Sequence, residues 1–231
     1  KTDMLDEELK QAIHDEIRDL NPLFFFQRST DGIGGIERCT LEVHGRGNRL
    51  VMMSDFLHIL PEVQEALKSG QAVVALESTI VAHGMPYPQN LETAQRLESI
   101  VRAGGAVPAT VAVINGKLQV GCTIEDLTAL ATSPDVLKVS RRDLPLALAR
   151  KKLGATTVSG TLIGCELAGI RVFATGGIGG VHRGVERTWD ISADIPELAK
   201  SSVAVVSAGA KSILDLPKTL EALETAGVTV V

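Results

Sequence analysis

Aromatic side chains make up only 3% of this 231-residue sequence, so its buried volume has to come from aliphatic side chains. Cysteine is almost as scarce. Cys39, Cys122 and Cys165 show neither zinc-ligand spacing nor a C-x-x-C pair, and three residues cannot make a paired framework. A reducing compartment follows, with the cytoplasm as the expected location and an organelle as the alternative. No uninterrupted apolar run is long enough to span a bilayer, so no membrane partner is expected. The opening residues are charged and do not read as a secretory signal. A basic excess is also missing. The net charge is −5, which gives no bulk electrostatic reason to bind nucleic acid.

The chain does have aliphatic residues in quantity, with a hydrophobic fraction of 45%. Richness in Ala, Val, Gly, Leu and Ile suits an α/β protein with buried parallel strands. The first fifty residues read differently from the rest. Residues 3–20 are acidic and weakly amphipathic, 23–26 form an isolated aromatic run, and 30–49 are polar and glycine-containing. Residues 1–51 are therefore set apart as an N-terminal extension, a targeting piece or an upstream translated segment, with Met52-Met53 as an alternative start. Residues 52–231 are expected to form the main domain.

Within that domain strands and helices alternate. Apolar strands are predicted at 72–76, 109–114, 172–174, 203–206 and 228–231. Helices are predicted at 62–68, 91–103, 144–153, 160–168 and 216–226. Asn115-Gly116 predicts a tight hairpin into a strand at 117–120. Thr123, with Asp126 three residues on, predicts a capped helix through Leu130. The expected architecture is a layered α/β/α domain around a mostly parallel or mixed sheet. Ligands in such sheets sit at the carboxyl ends of the strands. The final residues, GVTVV, end inside an apolar strand pattern, so the domain is expected to be incomplete at its C-terminus.

Four strand exits carry chemistry. Glu77 follows four apolar residues, where a raised carboxyl pKa makes an acid; an ion-paired or capping Glu is the plain alternative. His83 follows in the same loop, where a hydrogen-bonded structural His is the commoner case. Lys138, Arg141 and Arg142 form a basic knot that suits an anionic group such as phosphate, or else a solvated edge. The run from Val172 to Leu198 begins with Gly176, Gly177, Gly179 and Gly180. It fails the dinucleotide fingerprint, because His182 stands where the third glycine belongs. Asp190, Ser192 and Asp194 then make an oxygen-rich string that suits Mg²⁺ or Mn²⁺, or an ordinary surface turn. Finally, Lys211 sits in SAGAKSILDLP, among small residues just past a strand. Burial there, at the first turn of a helix, would disfavour the ammonium form and leave a nucleophile able to make a Schiff base.

The stretches ALESTIVAHGMPYPQN, VPATVAVINGKLQVG, KVSRRDLP, FATGGIGGVHRG with DISADI, and SAGAKSILDLP together closely resemble the pseudouridine-5'-phosphate glycosidases, from about Phe56 to Val231. The resemblance implies reversible cleavage of pseudouridine 5'-phosphate to uracil and ribose 5-phosphate, with a divalent metal, usually Mn²⁺. It implies that Glu77 is the proton donor, Lys211 the nucleophile and Asp190 the metal ligand. It implies that Lys138, Val158, Ser192, Ala193 and Asp194 line the substrate site, and that the protein assembles as a homotrimer. Two other readings share these residues. One is an aldolase-type Schiff-base lyase acting on a sugar phosphate. The other is a truncated, inactive homologue that serves as a binding or assembly protein.

Overall fold

The structure is a computed structural model that describes residues 26–28, 39–41 and 56–231. The chain divides into two compact units, Lys1–Met52 and Met53–Val231. In the first, strand β1 (Phe26–Arg28) pairs antiparallel with β2 (Cys39–Leu41). The rest of the expected N-terminal pattern lies outside the described residues.

The second unit is built on a mixed sheet of eight strands, flanked by helices. In chain order its elements are β3 (Leu57–Ile59), α1 (Pro61–Ser69), β4 (Val73–Leu76), a π-helical turn (Ile80–Gly84), α2 (Gln89–Ala103), β5 (Val107–Ile114) and β6 (Lys117–Val120). Then come α3 (Ile124–Thr132), β7 (Leu137–Val139), α4 (Leu144–Ala149), β8 (Gly154–Thr156), α5 (Val158–Ala168) and β9 (Val172–Thr175). Two short helices, α6 (Val185–Thr188) and α7 (Asp194–Lys200), precede β10 (Ala204–Ser207) and α8 (Leu216–Thr225). The sheet runs β10-β9-β4-β5-β6-β3, and β8 joins it through β5 and carries β7 on its other edge.

Strand β5 shows why the sheet needs cover on both sides. All eight of its residues are buried. Val107, Ala109, Val111 and Val113 belong to one apolar cluster, with Val63 of α1 and Leu162 and Cys165 of α5. Ala112 and Ile114 belong to another, with Ala94 of α2 and Leu127 and Leu130 of α3. Successive side chains point to opposite faces of a strand, so each face of β5 feeds its own core. The layered α/β expectation therefore holds.

Three expectations need correction. No strand forms over 228–231. The Val228 N–H instead bonds back to the Leu223 carbonyl at 2.9 Å and closes α8. Helix α4 stops at Ala149 rather than continuing to Leu153, because the next residues turn into β8 and Leu153 gives its carbonyl to Leu137. The short strands β3, β7 and β8 lie where no strand is predicted from sequence. Among the described residues, no helix is long and apolar enough to cross a membrane.

Strand order also marks a switch point. From β4 the chain moves to β5 on one side, while β9 and then β10 lie on the other. Strands β4, β9 and β10 run parallel, so their carboxyl ends lie together. A ligand is expected at such a switch point, outside the ends of β4 and β9.

Candidate active site

Glu77 is the first residue past β4. The register pairs Leu76 with Ala174 and Ser207 with Thr175, which sets Glu77 beside Thr175 and the exit of β10. The Thr175 hydroxyl donates to Glu77 Oε1. Burial pushes the Glu77 carboxyl above its ordinary value of 4.5. The Thr175 hydrogen bond and the positive charge of Lys211 pull the other way without cancelling it. A largely desolvated carboxyl held this way keeps its proton to higher pH than a free carboxyl and can serve as a proton donor.

The loop after Glu77 is fixed from below. The Ser78 hydroxyl donates to the Val111 carbonyl at 2.6 Å, and the Thr79 hydroxyl donates to the Thr156 carbonyl at 2.7 Å. Buried Asn90 donates to the Val81 and Ala131 carbonyls at 2.7 and 3.0 Å. His83 is exposed in the π-helical turn.

Lys211 reaches the same end of the sheet from β10. Its N–H bonds the Ile178 carbonyl at 3.1 Å, and Ile178 N–H bonds the Gly209 carbonyl at 3.0 Å. These bonds lace the lysine segment to the glycine run. A Cβ on Gly177 would stand 3.4 Å from Lys211 Cγ, so the bare backbone there leaves the lysine stem its course. The sequence-based picture of this lysine is corrected on two counts. Lys211 is exposed rather than buried, and α8 begins only at Leu216, so the lysine does not lie in the first turn of that helix. Small neighbours do not bury a side chain when no second layer covers them.

The string from Asp190 to Asp194 divides into an outer and an inner part. Asp190 is exposed, and its Oδ2 lies 3.7 Å from His182 Nδ1. Ser192 N–H bonds the Gly180 carbonyl at 2.9 Å. Asp194 is 5% exposed. Its Oδ1 accepts the Ser159 N–H at 2.9 Å and its Oδ2 accepts the Gly179 N–H at 2.8 Å. Asp194 thus ties the first turn of α5 to the glycine run. Ala193 only precedes α7, with its carbonyl turned to Glu197.

Val158 is the first residue of α5, capped by the Thr157 side chain. Its side chain is 1% exposed and belongs to the core, so only its backbone can face a ligand. Lys138 is exposed on β7. Its two basic neighbours do not join it in an anion site. Arg141 grips buried Glu197 through two bonds of 2.5 and 2.6 Å, and Arg142 reaches Asp143 at 3.4 Å. The sequence offered no sign of Thr175 or of the Arg141–Glu197 pair, since both depend on strand and helix neighbours far along the chain.

Among the described residues there is no group of three His, Cys, Asp or Glu side chains that could enclose a metal ion. The donor on offer is the Asp190 carboxylate beside His182. One exposed carboxylate suits a hard ion such as Mn²⁺ or Mg²⁺ that keeps most of its waters. Cys122 and Cys165 are poor thiolate nucleophiles: burial pushes the Cys165 thiol up to about 12 and raises Cys122 well above its ordinary value. Two open concavities of about 400 and 410 Å³ flank Arg102 and contain none of the residues above.

A carboxyl and an amine at the switch point of an α/β sheet place the chain among α/β folds with a candidate site at the strand ends. The family model described as "Indigoidine synthase A like protein" matches residues 62–231, and the chain belongs to that family. The pseudouridine-5'-phosphate glycosidase of Solibacter usitatus is 66% identical over 175 residues, covering 76% of this chain and 58% of that protein. The one from Herpetosiphon aurantiacus is 65% identical, again over 76% of this chain and 58% of its own length. The expected resemblance to these glycosidases is borne out. The chain spans 58% of the length of these curated relatives. Among solved structures, the prealnumycin C-glycosynthase AlnA in complex with ribulose 5-phosphate is 48% identical, with a TM-score of 0.69 over 75% of this chain and 56% of that one. An indigoidine synthase A-like protein from Thermotoga maritima is 35% identical, with a TM-score of 0.67 over 74% and 56%.

Proposed function

We propose that this chain carries the reacting groups of a pseudouridine-5'-phosphate glycosidase, which cleaves the C–C glycosidic bond reversibly to uracil and ribose 5-phosphate. One observation carries the reading. Glu77 and Lys211, far apart in sequence, are tied to the same short run at the end of β9, Glu77 through Thr175 and Lys211 through Ile178. The names of the curated relatives support the substrate. The likeness to a C-glycosynthase bound to ribulose 5-phosphate supports C–C chemistry on a sugar phosphate.

The bond to be broken sets the mechanism. Uracil leaves as carbon, so protonating a ring nitrogen cannot release it, and a pair of carboxylates is a weak tool. Lys211 Nζ attacks C1' while the C1'–O4' bond opens, and Glu77 gives its proton to O4'. The adduct nitrogen returns a proton to the Glu77 carboxylate, and uracil C5 takes a proton, which leaves positive charge on C6=N1. The nitrogen lone pair then forms the C1'=N bond as the C1'–C5 bond breaks, and that electron pair restores the C5=C6 double bond of uracil. Water hydrolyses the imine and returns ribose 5-phosphate and free Lys211.

Lys138, the Val158 backbone and the 192–194 segment line the proposed substrate path, with Asp194 acting through the backbone amides it holds. A divalent ion at Asp190, Mn²⁺ by preference, would supply positive charge that orients the phosphate or base through its waters. A homotrimer in a reducing compartment completes the proposal. The test is to incubate the chain with pseudouridine 5'-phosphate and Mn²⁺ and follow free uracil. Uracil from the parent chain and none from Lys211→Ala, with unchanged circular dichroism, is the expected result. Equal release from both would overturn the imine route.

A further inference from the structure

Of the two hydroxyls close to Glu77, Thr175 and Thr79, Thr175 makes the hydrogen bond to its Oε1. It sits at the end of β9, and the pairing of Leu76 with Ala174 makes it the neighbour of Glu77 by register. Its hydroxyl has one proton to give. The Gly177 N–H approaches the same oxygen at 3.4 Å and uses one of its lone pairs, which directs the hydroxyl proton toward Glu77. Thr79, the other hydroxyl close by, gives its proton to the Thr156 carbonyl at 2.7 Å. Oε1 of Glu77 is therefore an acceptor from Thr175, and a carboxyl proton on Oε1 would set two hydrogens against each other.

We propose that Thr175 is a positioning residue that confines the transferable proton of Glu77 to Oε2. Thr175 touches no reacting atom. It acts through Glu77, by fixing the carboxyl plane and choosing the oxygen that faces the opening ring. Glycine at 177 is part of the device, because its free backbone approaches both Thr175 and the Lys211 stem. The inference rests on Glu77 being the proton donor.

The charged groups around Glu77 are Lys211, from the segment after β10, and Asp194, at the start of α7. Neither is changed by substitutions at Thr175. The hydroxyl favours the ionised carboxyl, so removing it raises the pH at which Glu77 gives up its proton. Activity requires the protonated acid and falls as pH rises through that point. Thr175→Val should therefore move the alkaline limb of the kcat profile to higher pH and lower kcat about tenfold or more, with KM little changed. Thr175→Ser, which keeps the hydroxyl, should restore both limb and rate. A parallel titration of the Glu77 carboxyl carbon by NMR, in the parent and both Thr175 variants, with the signal assigned by its loss in Glu77→Gln, reads the same shift without turnover. An unmoved limb and an unmoved titration in Thr175→Val would overturn the proposal. So would a Thr175→Ser protein as impaired as Thr175→Val, since that would make the methyl group the working part. If the parent chain releases no uracil, the functional reading fails on its own, while the titration still decides for or against Thr175.

Discussion

Asp194 accepts the Gly179 N–H at 2.8 Å on one carboxylate oxygen, while its other oxygen holds the first turn of α5 through Ser159 at 2.9 Å. A Cβ on Gly179 would stand 2.7 Å from that carboxylate and closer still to the Ser192 hydroxyl. The glycine is required by this approach. Asp194→Asn puts an amide NH₂ against a backbone N–H and should cost about 1–3 kcal/mol. The check is the midpoint of urea unfolding. An unshifted midpoint would show that the clamp adds nothing to stability.

Lys211 can be tested without uracil. Ribose 5-phosphate with borohydride should add one reduced sugar phosphate to the parent chain, and peptide mapping should find it on Lys211. Lys211→Ala should gain no mass. A label on another lysine would move the nucleophile elsewhere.

Glu98 of α2 gives a pH effect on stability away from the site. The Thr110 hydroxyl donates to its Oε1 at 2.6 Å, yet burial raises its carboxyl above the ordinary 4.5. The folded state thus holds the proton more tightly than the unfolded chain. Its stabilising contribution is complete below pH 4.5 and is lost as pH rises through the raised folded value. Glu98→Gln should remove that decline, so the Tm difference between variant and parent should grow from pH 4 toward neutrality, in roughly the span set by the raised carboxyl. A constant difference across that range would refute it.

The exposed Asp190 carboxylate makes a metal prediction of a different kind. Chelation should stop uracil release, and added Mn²⁺ should restore it. Asp190→Asn should raise the Mn²⁺ concentration needed for half-maximal activity about tenfold or more while leaving Tm nearly unchanged. Full activity after chelation would remove any role for the ion.

Local rules were legible where local residues decide the outcome. Asn115 and Gly116 adopt φ of 51° and 76°, as a tight hairpin turn between β5 and β6 requires. Thr123 and Asp126 form a complete capping box at the start of α3. The apolar runs before Glu77 and before Lys211 are strands, as their composition indicates. Strands β7 and β8 were not legible. Gly154-Ala155-Thr156 has no strand pattern of its own, and it is a strand because β5 and β7 flank it. Gly154 is needed there because a Cβ would meet Val139 at 2.6 Å.

The sequence by itself determined the alternation of strands and helices, the turn and cap positions, and the candidate groups at the strand exits. Each of these follows from residues within one turn or one strand of each other, where periodicity and backbone preference act. Only the tertiary structure decided that Thr175 serves Glu77, that Arg141 is committed to Glu197, that Asp194 braces two backbone segments, and that Lys211 stands open to solvent. Those outcomes depend on parallel pairing and helix packing between residues dozens of positions apart. Burial and hydrogen-bond partners at such range are properties of the folded sheet, and no local pattern encodes them.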